Sequence, residues 1–532
     1  MKKKLALLMV IAMTAGLLLS ACAPSGGGGQ NGGGNESQNQ GGSTPDDSQQ
    51  QTEKRDSVNL SIKANLASID AHGVRNLQDL LVRQQMYEGL YFQDEATLEM
   101  EPRVAESYEV SEDGKTYTFK IRSNAKFHNG DDVKASDVVW SWTRASQAPG
   151  WGAYTSSFDS AEAIDDKTVA IHLKFPDASF LCNMCKIGIM SEKVVTEQGD
   201  EFGTKVALAG TGPYMITYLD NDVKWTLEAF PDYYRGEAAI KTINYTPIVD
   251  FSAGLLAFES GELDWYTAPI ANWNDLVANE NYKTEIMAAN HITYLAINWL
   301  ANDELGNDYV RKAIAYSLDK ESMNIAGFDG YATEANYMEN PEYNVGAPDG
   351  GLVYNYDPEK SKELLAEGGF PNGVTVGKLL CFPGSHFEKC AQVAQANMEA
   401  VGIHAENELV EEYTALTRAR AQEYDMDMTG GSQTGDYSAF ADKVVSTGVG
   451  SYFVKFEGDK FDYKKFDSMF EEGLQIMDPA ERKAHYQELN DMIMETACLI
   501  PVLHKAQPYV WNKNLNVVNQ PNNYNVYDWS WN

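Results

Sequence analysis

The sequence predicts an α/β protein of several domains, carried behind a secretory leader. Three observations carry that reading. Apolar residues alternate through Thr116–Ile121 and again from Val169 to Phe175, which marks half-buried strands. Each strand is fed by a turn pair, Asp113-Gly114 in the first case and Asp165-Asp166 in the second. In the second half, helix-period stretches carry their own punctuation, as where Asp357-Pro358 opens PEKSKELLAE and Gly368 follows it. The chain beyond residue 56 is long enough for several such units.

The leader comes first. Lys2-Lys3-Lys4, an apolar run from Leu5 to Leu19 and the ending Leu19-Ser20-Ala21-Cys22 are the parts of a secretory signal over residues 1–21. Its apolar core is short for a membrane span. The Leu-Ser-Ala-Cys ending resembles the lipobox of bacterial lipoproteins, which implies cleavage before Cys22 and diacylglycerol on its sulfur. The alternative is an ordinary signal whose cleavage site happens to contain a cysteine. Residues 22–56 then read as that cysteine followed by a Gly/Asn/Gln/Ser tether, with no apolar periodicity to bury.

Composition excludes several functions. A formal net charge of −35 repels phosphate backbones, so nucleic acid is not an expected partner. With Cys22 lipidated, five cysteines are left, an odd number for an oxidising compartment. Cys182 and Cys185 have CxxC spacing without a second pair or a nearby histidine cluster. They form either a local disulfide or two packed thiols. Cys381, Cys390 and Cys498 sit in apolar surroundings and read as core. The eight histidines include no HxH or HxxxH pair, so neither a metal nor a cofactor is expected. Gly210-Thr211-Gly212-Pro213-Tyr214 lacks the third glycine of a dinucleotide loop, and Pro213 removes a donor. No G-x-S-x-G or H-E-x-x-H occurs, so a secreted hydrolase is a remote alternative and the protein is read as a non-enzyme.

The elements follow in order. Ser107–Ser111 and Thr116–Ile121 form a hairpin with Tyr117, Phe119 and Ile121 inward. Asn129-Gly130 makes a second turn, and Ser136 is placed to cap a helix bearing Asp137, Val138 and Trp142. A second hairpin spans Glu162–Phe175, with His172 on its polar face. Tyr214–Leu219 is a strand, and Gly254–Trp265 is a helix stopped by Gly261 and followed by a strand. Val310, Ala313, Ile314, Ser317 and Leu318 share one helix face, and Asp478-Pro479 opens a helix running toward Glu495.

Periodicity alone predicts only hairpins and helices here. The words EDGKTYTFKIR, FHNGDDVKASDVVWSW and GTGPY, with MYEGL before and YLAINW and LIPVLHK after, resemble the extracytoplasmic solute-binding proteins that feed peptides and nickel to ABC transporters. The resemblance runs from about Val58 to the C-terminus in consistent order. It implies the type II (cluster C) periplasmic-binding-protein fold, two lobes with a hinge and an extra small α/β domain. The implied division is lobe I over 57–91, 208–296 and 501–532, a small domain over 92–207, and lobe II over 297–500. Tyr294–Trp299 and the stretch LIPVLHK would be the two crossings between lobes.

The resemblance also implies a lipid-anchored monomer outside the cytoplasm. It would capture a short peptide and deliver it to permease subunits with their ATPases. An oligosaccharide or nickel chelate as cargo, or a peptide-sensing role, are the alternatives. In peptide-binding members an aspartate in a loop comparable to Gly430–Tyr437 holds the peptide's amino terminus, which singles out Asp436; an Asx cap beside Gly435 is the other reading. This loop lacks the family's tryptophan and its following proline. Trp151, Tyr154, Trp265, Tyr266, Asn298, Trp299 and Tyr437 are cleft candidates, and the aromatic ones serve equally well in a core. Arg418 and Arg420 lie near the region where a ligand carboxylate would be held, on a helix whose default is solvent.

Overall fold

The computed structural model describes residues 55–532 except 64–65, 74–76, 221–222, 433–434, 447–460 and 522. Cys22, the leader and the tether up to residue 54 lie outside the described residues.

Ser57–Ile62 buries Val58, Leu60 and Ile62 on one face and starts the first sheet. Its neighbours in order are Thr242–Pro247, Lys224–Ala229 and Tyr214–Asp220; the first pair is parallel and the others antiparallel. The C-terminal segment returns to this sheet, where Trp529 and Trp531 join Tyr214, Trp225 and Tyr245 in one core.

A second, antiparallel sheet is inserted between the first sheet's strands. Its order is Ala105–Val110, Thr116–Ile121, Thr168–Leu173 and Phe158–Asp165. Gly114 takes φ 68° at the hairpin turn, a conformation glycine adopts without cost. The Ala135–Gln147 helix lays Val138 and Trp142 on this sheet. Ser136 is not its cap. The helix begins at Ala135 with Lys134 at the cap position, two residues earlier than expected, and the Asp137 carboxylate accepts the Lys134 N–H at 3.0 Å.

The third sheet runs Trp265–Thr267, Leu499–Asn512, Tyr282–Ile297, Met426–Ser432, Val374–Cys381 and Ile403–Leu409, with Thr333–Glu334 beside Leu499–Asn512. Helices Asp308–Ser317, His386–Ala400 and Pro358–Glu367 supply much of the apolar cover over its upper part. Asp357 and Asp478 cap their helices through side-chain oxygens, as their Asp-Pro pairs require. All five described cysteines are free. Cys182 donates its thiol to Gln93 Oε1 at 3.0 Å and Cys185 to the Leu181 carbonyl, and burial pushes both thiols upward in pKa.

Three of the sequence words meet at one point. The Gly212 N–H donates to the Met86 carbonyl at 2.9 Å, and His128 Nε2 lies 3.0 Å from the Gly212 carbonyl. A Cβ on Gly210 would stand 2.1 Å from the Met86 oxygen, so the backbones touch where MYEGL, FHNGDD and GTGPY cross. The glycines serve close approach, not phosphate.

Candidate ligand cleft

The chain passes between the two large lobes twice, along Tyr282–Ile297 and Leu499–Asn512, which pair with each other almost end to end. Their lower halves pair through Ala288↔Ala506 and share a sheet with Trp265–Thr267. Their upper halves pair from Ile292↔His504 onward, with Met426–Ser432 alongside. Between them the register slips, and residues 289–291 stand opposite Lys505 alone. A bulge of this kind bends a ladder locally and leaves groups unpaired, which suits a hinge. The slip at residues 289–291 lies upstream of Tyr294–Trp299, the stretch expected to be the first crossing.

Gly430 pairs opposite Thr293. A Cβ there would meet the Ile292 carbonyl at 2.5 Å, Phe387 Cε1 at 2.8 Å and His291 Cε1 at 2.9 Å. The bare backbone is needed because two rings lie over it. Further along the same loop, Asp436 opens the short 3-10 turn Tyr437–Phe440. Its Oδ1 accepts the Ser438 N–H at 2.9 Å and the Ser438 hydroxyl at 2.6 Å. Arg482 grips the same carboxylate with two bonds of 2.8 and 2.7 Å, both side chains being 3% exposed. Burial works against the Arg482 charge and the Asp436 carboxylate outweighs it, raising the guanidinium pKa. The carboxylate expected at a peptide ammonium is thus occupied from within the chain, in the geometry of a capping residue.

The other expected residues scatter. Trp151 is buried, donates its indole N–H to the Gly73 carbonyl at 3.2 Å, and has Tyr154 against it at 6.0 Å. It borders a cavity of about 200 Å³ between lobe I and the small domain, lined also by Arg83, Tyr87, Tyr91 and Lys186. Trp265 belongs to the lobe I core, its indole bonded to Asn519 and its ring beside Tyr509, Tyr524 and Trp529. Tyr266, on the opposite face, fills the space left by Gly254 and donates to the Phe251 carbonyl at 3.0 Å. Asn298 ties down the carbonyls of Gln422 and Tyr424, each at 3.0 Å. Trp299 lies buried beneath Arg311, 4.8 Å from ring centroid to guanidinium. Tyr437 is wholly buried among Phe440, Phe470 and Tyr486. Arg418 binds Glu408 at 3.0 Å, and Arg420 is exposed.

The Asp436 loop nevertheless meets the other half of the molecule. The Gly435 Cβ position is 3.1 Å from Gln93 Oε1 and 3.4 Å from Cys182 Sγ, both in the first half of the chain. Nearby, the Ala178 N–H donates to the Leu474 carbonyl at 2.7 Å. The small domain and lobe II are therefore in contact across the cleft. Sequence reading missed Arg482 and Lys505. A lysine closing the apolar run LIPVLHK was the available signal for the second; nothing local distinguishes Arg482 from a solvated helix arginine. Among the described residues no group of three or more His, Cys, Asp or Glu is arranged to hold a metal.

Comparison with known proteins gives the frame for this geometry. Residues 99–451 match the family model for bacterial extracellular solute-binding proteins, family 5 Middle. The chain is 26% identical over 479 residues to the glutathione-binding protein GsiB of Escherichia coli (strain K12), covering 86% of this chain and 91% of that protein. The ABC transporter substrate-binding protein CtaP of Listeria monocytogenes superimposes with a TM-score of 0.81 at 20% identity, over 90% of this chain and 99% of CtaP. DppA of Helicobacter pylori, solved with the peptide STSA, gives 0.72 at 23% identity, over 90% and 98%. The expected α/β type II periplasmic-binding-protein fold is the fold observed. The match over residues 99–451, more than half of the chain, makes it a member of the bacterial extracellular solute-binding proteins, family 5.

Proposed function

We propose that this protein captures a short peptide or peptide-like solute between its lobes and presents it to the permease of an ABC importer. The observation that carries this reading is the strand pair interrupted at residues 289–291, with lobe II and the small domain touching beyond it. An interrupted crossing lets two rigid bodies close on a ligand held by both, and closure is driven only by contacts made to both at once. The peptide class is supported by GsiB, which is a glutathione-binding protein, and by DppA, which was solved with STSA. Proteins of this family act outside the cytoplasm, and no helix among the described residues is long and apolar enough to cross a membrane.

Lipid attachment at Cys22 follows from the leader's Leu-Ser-Ala-Cys ending. A Cys22→Ser variant is expected in the soluble fraction; its retention on membranes would remove the anchor from this reading. The ligand itself is tested by native mass spectrometry of the protein as purified, followed by denaturation and identification of what is released. Peptides or peptide derivatives are the expected result, and a released sugar would replace the peptide class while leaving the capture mechanism intact.

A further inference from the structure

Resting on that reading of the cleft, we propose that Lys505 binds an anionic group of the captured solute, a carboxylate in a peptide-like ligand, with His291 and Lys63 beside it.

Lys505 is the single residue opposite residues 289–291, at the wider of the two register slips between the crossing strands. A group held there touches strands that belong to both lobes.

Two other enclosed lysines are provided for: Lys443 binds Glu339 at 3.2 Å and the Ser432 carbonyl at 2.9 Å, and Lys320 donates to the Ala335 carbonyl at 2.6 Å. The half-buried Lys505 has no ion pair and no side-chain hydrogen bond among the described residues. Acidic residues outnumber basic ones 77 to 42 in the whole chain, yet no described carboxylate lies within ion-pair reach of this ammonium. A cation withdrawn from water without a partner is costly, and an incoming anion relieves that cost.

The Lys63 ammonium sits 3.7 Å over the Phe251 ring, and burial and the Lys505 charge together lower its pKa to about 8. His291 and His386 are driven down to about 3, first by burial and then by the Lys505 charge, so neither adds a proton at neutral pH. The ring of His291 lies over bare Gly430, and its Nδ1 has no partner. Lys443 also acts on His291, and its own partner Glu339 is committed to it. The site thus combines a positive potential, an unused imidazole nitrogen and a break in the crossing ladder, which is a receptor for an anion and a poor one for a cation.

The test compares tri-alanine with tri-alanine amide by calorimetry on the wild type, Lys505→Gln and Lys505→Arg. The free acid is expected to bind the wild type roughly tenfold or more tighter than the amide, the scale of one charge-assisted contact. Lys505→Gln should erase that preference, and Lys505→Arg should keep most of it. Equal binding of acid and amide by the wild type, or an undiminished preference in Lys505→Gln, overturns the proposal. If neither peptide binds, citrate decides the anion site separately. Thermal stabilisation by citrate in the wild type but not in Lys505→Gln supports it; equal response, or none, overturns it.

Discussion

Asp436 shows how one residue type serves two chemistries. A carboxylate beside Gly435 suits an ammonium, and it suits a backbone cap equally well; only the arrival of Arg482 from the Pro479–Thr496 helix decides between them. Removing one member of a buried ion pair strands the other in a medium that solvates it poorly. Asp436→Ala is therefore expected to lose about 3–5 kcal/mol of stability in urea unfolding. Asp436→Leu combined with Arg482→Met should recover part of that loss, because no unpaired charge is left. A single variant as stable as the wild type would mean the pair contributes nothing, and would reopen the ligand role of Asp436. The aromatic candidates teach the same lesson. Trp265, Tyr266, Trp299 and Tyr437 carry polar tips that suit a wet cleft, yet each is buried in a core. Composition and local sequence are identical in the two situations.

At the scale of elements, most of the chain was legible. The hairpins at Thr116–Ile121 and Phe158–Leu173 follow from alternation and turn pairs, and the Asp357-Pro358 and Asp478-Pro479 helix starts follow from capping chemistry. The Ala135 helix start was misplaced because Asp137 reaches back to the Lys134 N–H, doing from within the first turn what a cap residue does from outside. The glycines of GTGPY were legible as a turn but not as a contact. Gly210 has ordinary backbone angles, so an alanine there meets no conformational obstacle; it meets the Met86 carbonyl at 2.1 Å and His128 Cε1 at 2.8 Å. Gly210→Ala is expected to cost about 1–3 kcal/mol or more, since a backbone carbonyl cannot swing aside as a flexible side chain can. Chemical denaturation measures it, and a loss below about 0.5 kcal/mol, the range of neutral surface changes, would show that this crossing yields.

For the whole molecule, the decisive contacts join parts distant in sequence. Gly435 approaches Cys182 and Ala178 approaches Leu474 across the cleft, so this arrangement is one with the lobes together. Gly435→Cys places its Cβ 3.4 Å from Cys182 Sγ, within reach of a disulfide, at the cost of about 1–2 kcal/mol for a side chain at φ +55°. Oxidation should cross-link this variant and slow exchange of bound ligand by roughly tenfold or more, because opening then requires breaking a covalent bond. Reduction should restore the wild-type rate. A cross-linked protein that exchanges ligand freely would show that solute enters without separation of the small domain from lobe II.

The sequence by itself determined many of the strands and helices and their punctuation, because each of these depends on residues a few positions apart. It also carried the family resemblance, which rests on short words in a consistent order along the chain. Which polar and aromatic side chains face the cleft was decided only in the tertiary structure. Asp436 is neutralised by a residue far along the chain, and Lys505 is left without a neutralising residue by a slip in register between strands that are themselves far apart in sequence. The lysine that closes LIPVLHK is visible in the sequence, but its lack of a partner is not, since the charge balance of a buried group is the sum of everything the fold brings around it.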